Sequence, residues 1–183
     1  MAEQAAERSS VVFSCDPPLG FSPGIGRYVA QLTETRQELL RHLEGMTPEQ
    51  LSWHPNDLVE SIGTQLLHVA AIEWSWIFED ILGRPGEEYD GWEEALPIRL
   101  GLPQVVGRSL EAYLATLNQV RIDALAVLRG LTDEDLPKLR PEQPSEPDGA
   151  RYTVDWVLFH LVQHEAHHAG QVELMVRLLP PSL

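Results

Sequence analysis

The sequence predicts an all-α fold, a four-helix bundle with long crossover-type connections, on three observations. Four long segments carry apolar residues at helical spacing. No segment alternates apolar and polar residues as a half-buried strand does. Two of the connections are much longer than a tight helical hairpin needs. The chain has 183 residues, 43% of them hydrophobic, which suits one globular domain with a short extension rather than two full domains.

Residues 1–21 are polar and interrupted by Pro17-Pro18, so they are expected to form an extended arm, with the bundle domain over 22–183. Ser22-Pro23 has the form of an N-cap followed by proline at the first helical position. From there Ile25, Val29, Leu32, Leu39 and Leu43 recur at helical spacing toward Gly45, defining the first helix. Thr47-Pro48-Glu49-Gln50 matches a capping box and predicts a short helical turn that tucks Leu51 and Trp53 under the bundle. A second long helix is expected from Ser61 to about Leu82, carried by Ile62, Leu66, Val69, Ile72, Trp76 and Ile77 and stopped by Gly83-Arg84-Pro85.

The stretch 86–103 is rich in Gly, Pro, Glu and Trp without a clear period and reads as a long connection. Between Leu102 and Leu131 the series Val106, Leu110, Tyr113, Leu117, Val120, Ala124 and Leu128 predicts the third helix, followed by a small turn at Thr132-Asp133-Glu134-Asp135. The proline-rich 137–149 reads as a surface loop. Thr153 then offers an N-cap for a last helix, which is closed by Pro180-Pro181.

A formal net charge of −15 argues against nucleic acid or an anionic membrane surface as partner, because both need clustered Lys and Arg. No apolar run approaches the roughly 20 residues that span a bilayer. The first residues lack the basic start and apolar core of a secretory signal, so a cytoplasmic location is expected. A lone Cys15 excludes an internal disulfide.

The chemistry concentrates near the C-terminus, where His160, His164, His167 and His168 place four of the seven histidines within nine residues. On a helical wheel with His164 at zero, Val157 and Met175 fall at about 20°, His168 at about 40°, Leu161 at about 60° and Val172 at about 80°. His164 and His168 therefore lie in the apolar stripe, with His160 and His167 on its shoulder. Residues four apart on a helix stand about 6 Å apart at Cβ, close enough for two imidazoles to hold one metal ion. A catalytic metal takes a third ligand from another element. His68 is the favoured third, being mid-helix in an apolar segment, whereas His54 adjoins Pro55 and His42 lies in a charged turn. Trp74, Trp76 and Trp92 are candidate pocket walls, and Arg84, Arg99 and Tyr152 are candidate carboxylate binders with no spacing to rank them.

His164-Glu165-Ala166-His167-His168 formally matches the H-E-x-x-H signature of zinc proteases, with Glu165 in the place of the base. Such proteases lay substrate along a β-edge and take a third ligand downstream, whereas this sequence predicts no strand and has no histidine after His168. Glu165, at about 100° on the wheel, is expected at the rim of the stripe.

Two motifs resemble the DinB/YfiT-like family of metalloenzymes. One is Ser61-Ile62-Gly63-Thr64-Gln65-Leu66-Leu67-His68 with the following Val69-Ala70-Ala71-Ile72-Glu73-Trp74, and the other runs from His160 through His164 and His168 to Ala169-Gly170-Gln171. The resemblance spans about residues 22 to 180 and implies metal-ligand roles for His68, His164 and His168. Ala169 stands where many relatives carry a basic residue. The resemblance further implies a divalent metal, Zn²⁺ or Ni²⁺ by donor type, and a small-molecule substrate. Its foremost implied activity is an S-transferase using a low-molecular-weight thiol such as bacillithiol, mycothiol or glutathione. A metal-dependent hydrolase and a non-catalytic metal-binding dimer module are the alternatives. A homodimer is expected.

Overall fold

A computed structural model describes residues 14–140 and 151–183. Seven α-helices run in the order α1 Pro23–Arg41, α2 Pro48–Ser52, α3 Ile62–Trp74, α4 Trp92–Ala95, α5 Pro97–Leu100, α6 Leu110–Arg129 and α7 Val154–Leu178. The long helices α1, α3, α6 and α7 form the bundle, with α1 packed along α7 and α3 packed against both α6 and α7. No strand is formed among the described residues. An isolated bridge joins Leu139 to Thr153.

The starts of the helices follow the expected capping chemistry. Thr47 and Gln50 form the capping box, while Ser61, Ser109 and Thr153 each accept from the backbone N–H three residues on. Ser22 caps α1 by position only. Its hydroxyl donates to Asp133 at 2.6 Å, and the same carboxylate accepts from the N–H groups of Gly24 and Ile25 at 2.8 and 3.2 Å. The turn after α6 thus supplies the anion at the first turn of α1.

Three elements depart from the sequence reading. The first helix ends at Arg41, with His42 as its cap, short of Gly45. The third begins only at Leu110, capped by Ser109, and leaves Val106 in the preceding loop, 74% exposed. A local cap therefore outranks an apolar residue that happens to be in phase. The second long helix reaches Ile81, but Ser75–Ile81 is π-helical. Ile77 and Phe78 of this segment are both buried in the core. Gly83, at φ 71°, ends it as expected. The connection 86–103 contains α4 and α5, and Ala95 of α4 is fully buried. The arm up to residue 13 and most of the predicted loop, 141–150, lie outside the described residues.

The core divides into two apolar clusters. One holds Leu39 of α1 and Leu43 just beyond it, Leu66 and Val69 of α3, Tyr113 and Leu117 of α6, and Val172 and Met175 of α7. The other holds Ile25 and Leu32 of α1, Ile77 beyond α3, Ala124 and Leu128 of α6, and Leu158 and Leu161 of α7. The start of α1 thus shares an end of the bundle with the start of α7 and with the ends of α3 and α6. Hence α1 and α7 run one way, and α3 and α6 the other. Since α3 and α6 are parallel, the chain between them must cross the length of the bundle, which is why 82–109 is long. In the first cluster α3 and α6 approach closely at Gly63, where a Cβ would lie 2.4 Å from the hydroxyl of the fully buried Tyr113.

Candidate metal centre

α3 brings His68, and α7 brings His164 and His168, to one place beside the first cluster. Nε2 of His164 lies 3.2 Å from Nε2 of His68. One ligand atom from each of the three rings falls within 4.8 Å of the others. The ring centroids are 5.1, 4.9 and 4.5 Å apart. The sequence pairing at i and i+4 and the third histidine from across the bundle are thus brought together. His42 pairs with Glu38 and the His54 ring contacts the Asn56 carbonyl, so neither belongs to the group.

Burial sets the protonation state. It pushes the His164 pKa down to about 3 and that of His168 to about 4, with the neighbouring imidazoles pushing the same way. His68 is also lowered by burial, partly offset by the backbone of Ala95. All three rings are therefore neutral at pH 7, the form that donates a nitrogen lone pair. The Nδ1 atoms of His68 and His168 are buried without a hydrogen-bond partner.

These residues fit a divalent cation. Two nitrogens each about 2.0–2.1 Å from one Zn²⁺ at a tetrahedral angle stand roughly 3.3 Å apart, close to the separation of the His68 and His164 Nε2 atoms. The three histidines could hold such an ion.

The shoulder histidines do other work. His160 stacks on Trp156 with the planes 6° apart and packs edge-on against Trp76. His167 is exposed and contacts Gln171 at 2.9 Å. Trp76 thus walls the approach to His160, whereas Trp74 stacks on Phe78 and Trp92 packs on Tyr89.

Glu165 is not at the rim. It is 3% exposed and lies near the middle of the buried arc of α7, which runs from Val157 and Met175 round to Ala169. Its two oxygens accept from Arg36 Nε and, at 2.7 Å, from Arg121. Those arginines also pair with Glu73, Arg36 at 2.9 Å and Arg121 through Nε. Two cations and two anions, one from each long helix, form a closed layer between the apolar clusters. Glu165 is buried and ion-paired with two arginines, away from any place where a general base could meet a substrate, which argues against the protease reading of H-E-x-x-H. The signal was present in the sequence: Arg36 occupies the vacant stripe position between Leu32 and Leu39, and Glu165 that between Leu161 and His168. A second buried pair, Arg140 with Asp80, was not foreseen. Desolvation raises the Asp80 carboxyl to about 6 against the pull of Arg140.

His168 also lines an open cleft of about 520 Å³ with Gln65, Arg99 and Met175 among its walls. Of the candidate carboxylate binders, Arg99 is the one in this cleft. Arg84 pairs with Glu88 at 3.9 Å, and Tyr152 is packed on Trp156.

Residues 31–172 match the DinB superfamily. The chain belongs to the DinB superfamily. Among curated proteins it is similar to the uncharacterized protein YizA of Bacillus subtilis (strain 168). The two are 27% identical over 148 residues, covering 80% of this chain and 82% of that one. A crystal structure of a conserved protein from Enterococcus faecalis superposes with a TM-score of 0.63 at 18% identity, covering 82% of this chain and 94% of that chain. One from Streptococcus pneumoniae gives 0.59 at 13% identity, covering 84% and 88%. At these identities the solved structures establish the DinB-like helical fold. No helix among the described residues is long and apolar enough to cross a membrane.

Proposed function

We propose that this DinB-superfamily chain is a divalent-metal-dependent enzyme whose ion is held by His68, His164 and His168, and that it transfers a low-molecular-weight thiol to a small electrophile. The observation that carries the metal reading is the convergence of three neutral imidazoles from two helices, two of them with Nε2 atoms 3.2 Å apart. Zn²⁺ and Ni²⁺ match an all-imidazole donor set. Bound there, such an ion would supply Lewis acidity, favouring the thiolate form of a coordinated thiol such as bacillithiol, mycothiol or glutathione. The protein's own part is to hold the rings neutral and oriented and to admit the reactants along the His168 cleft. The exposed Trp156 and Phe159 of α7 supply apolar surface for pairing as a homodimer.

Elemental analysis of purified protein tests the proposal. One divalent ion per chain is expected, falling to none in His164→Ala and His168→Ala. A parent protein without bound metal after supplementation with Zn²⁺ and Ni²⁺ would sink it. Product formation from an electrophile that needs one of the three thiols identifies the transferase. Turnover at the same rate without thiol identifies a hydrolase instead.

A further inference from the structure

The cleft at His168 is built unlike a generic apolar pocket. Its walls include Val59, Ile98 and Met175, but it also carries one carboxylate, Glu60, and one guanidinium, Arg99. Neither has an ion-pair partner among the described residues. Glu60 is half-buried, and burial raises its carboxyl pKa, so its charge lacks compensation within the fold. Gln65, 4% exposed, completes that side. Its Nε2 donates to the Glu60 carbonyl at 3.3 Å and reaches the Met175 sulfur at 2.9 Å, while its Oε1 is buried with no hydrogen-bond partner. A buried acceptor without a donor is rare in folded proteins and marks a place where an N–H is missing. Gln65 comes from the first turn of α3 and Glu60 from just before its cap, whereas Arg99 arrives on α5, carried there by the connection that crosses the bundle. The lining of one cleft thus combines a carboxylate, a guanidinium without an ion-pair partner among the described residues and several apolar side chains, beside a glutamine with an orphan acceptor.

We propose that this cleft binds a small zwitterion of dipeptide size, with its ammonium group at Glu60 and Gln65, its carboxylate at Arg99 and an apolar body against Val59, Ile98 and Met175. This names the substrate class for the reaction proposed above and rests on that reading only for what happens at His168. A cleft of this volume accommodates a ligand of that size, and charge at both ends fixes its direction relative to the metal centre.

The test uses L-leucyl-L-leucine with the full-length protein in excess EDTA, so that the probe cannot bind by chelating a metal. Calorimetry measures affinity, and ¹H–¹⁵N spectra locate the site. Shifts are expected at Val59, Gln65 and Met175, and affinity is expected to fall roughly threefold to tenfold when the amine is acetylated or the carboxylate is amidated. In Glu60→Gln the acetylated and free dipeptides should bind alike, and in Arg99→Gln the amidated and free ones should. Both residues are at the surface of the cleft, so neither substitution threatens folding. Equal affinity for the capped and free forms with the parent protein, or no shifts at the cleft residues, would overturn the proposal. The metal analysis is independent: charge-dependent dipeptide binding by a protein that takes up no metal would leave the cleft standing and remove the enzyme reading.

Discussion

Two polar clusters sit side by side in this bundle, one drawn from all four long helices and the other from α3 and α7 alone, and they are finished to different degrees. In the ion layer each carboxylate oxygen of Glu73 and Glu165 meets an arginine. The spare donors of those arginines reach the Leu117 and Leu32 carbonyls at 3.3 and 3.0 Å. In the histidine cluster the Nε2 atoms crowd together and two Nδ1 atoms are buried without partners. Buried charge is tolerable only when paired and hydrogen-bonded, so the closed layer is explained by the fold alone. The open cluster is not, because the desolvation cost of its neutral imidazoles is offset only in part, by the contact between His68 and His164 and by the backbone of Ala95. One residue step on α7, from His164 to Glu165, separates a group complete within the protein from one with buried nitrogens left unpartnered.

The largest expected effect comes from opening the closed layer. Glu165→Ala leaves two arginines half-paired in the core and should lower stability by about 3–5 kcal/mol in urea unfolding. A loss below about 1 kcal/mol would show that the layer is not the structural element described. Next comes closing the open cluster. Metal at about 100 times its Kd should stabilise the protein by about 2.7 kcal/mol, and His164→Ala should abolish that gain while Asp133→Ala keeps it, as read by thermal unfolding with and without the ion.

The pH response sharpens the contrast further. In metal-free protein the folded pKa values of His164 and His168, about 3 and about 4, lie below the unfolded value near 6.5. Below pH 6.5 the unfolded chain binds protons that the folded chain refuses. The stability of the metal-free protein should therefore be unaffected by these groups above pH 6.5 and fall as pH drops toward 4. Replacing His164 with Ala should flatten that slope, measured as urea midpoints from pH 7 to pH 4.5. An unchanged slope would mean that His164 is not the buried neutral group described. The smallest effect is the control outside both clusters. Asp133→Ala removes the acceptor at the start of α1 and should lower the urea midpoint slightly, with no change in metal content.

Much of this was legible in the sequence because it depends on local rules. Caps at Thr47, Ser61 and Thr153, the period of the apolar stripes and the spacing of His164 and His168 each involve residues within one or two helical turns. The four helices, their order and the placing of His164 and His168 on one face of α7 follow from those alone. His68 needed both an apolar context and a family resemblance. The role of Glu165 was misplaced because the wheel was centred on a histidine, whereas the buried arc is centred nearer Leu161 and Val172. The register of a helix against its neighbours depends on all its contacts and not on the residue of chemical interest.

What the sequence by itself determined, then, is the helical architecture and a pair of imidazoles on one face, since propensity, capping and period act over short range. Tertiary structure decided the rest. It set the opposed directions that make α3 and α6 parallel, matched four charges from four helices into one neutral layer, and brought Arg99 and Glu60 into the lining of one cleft. Those outcomes depend on pairing groups far apart along the chain, where the strength of an interaction is set by burial and by the partner that the fold brings within reach.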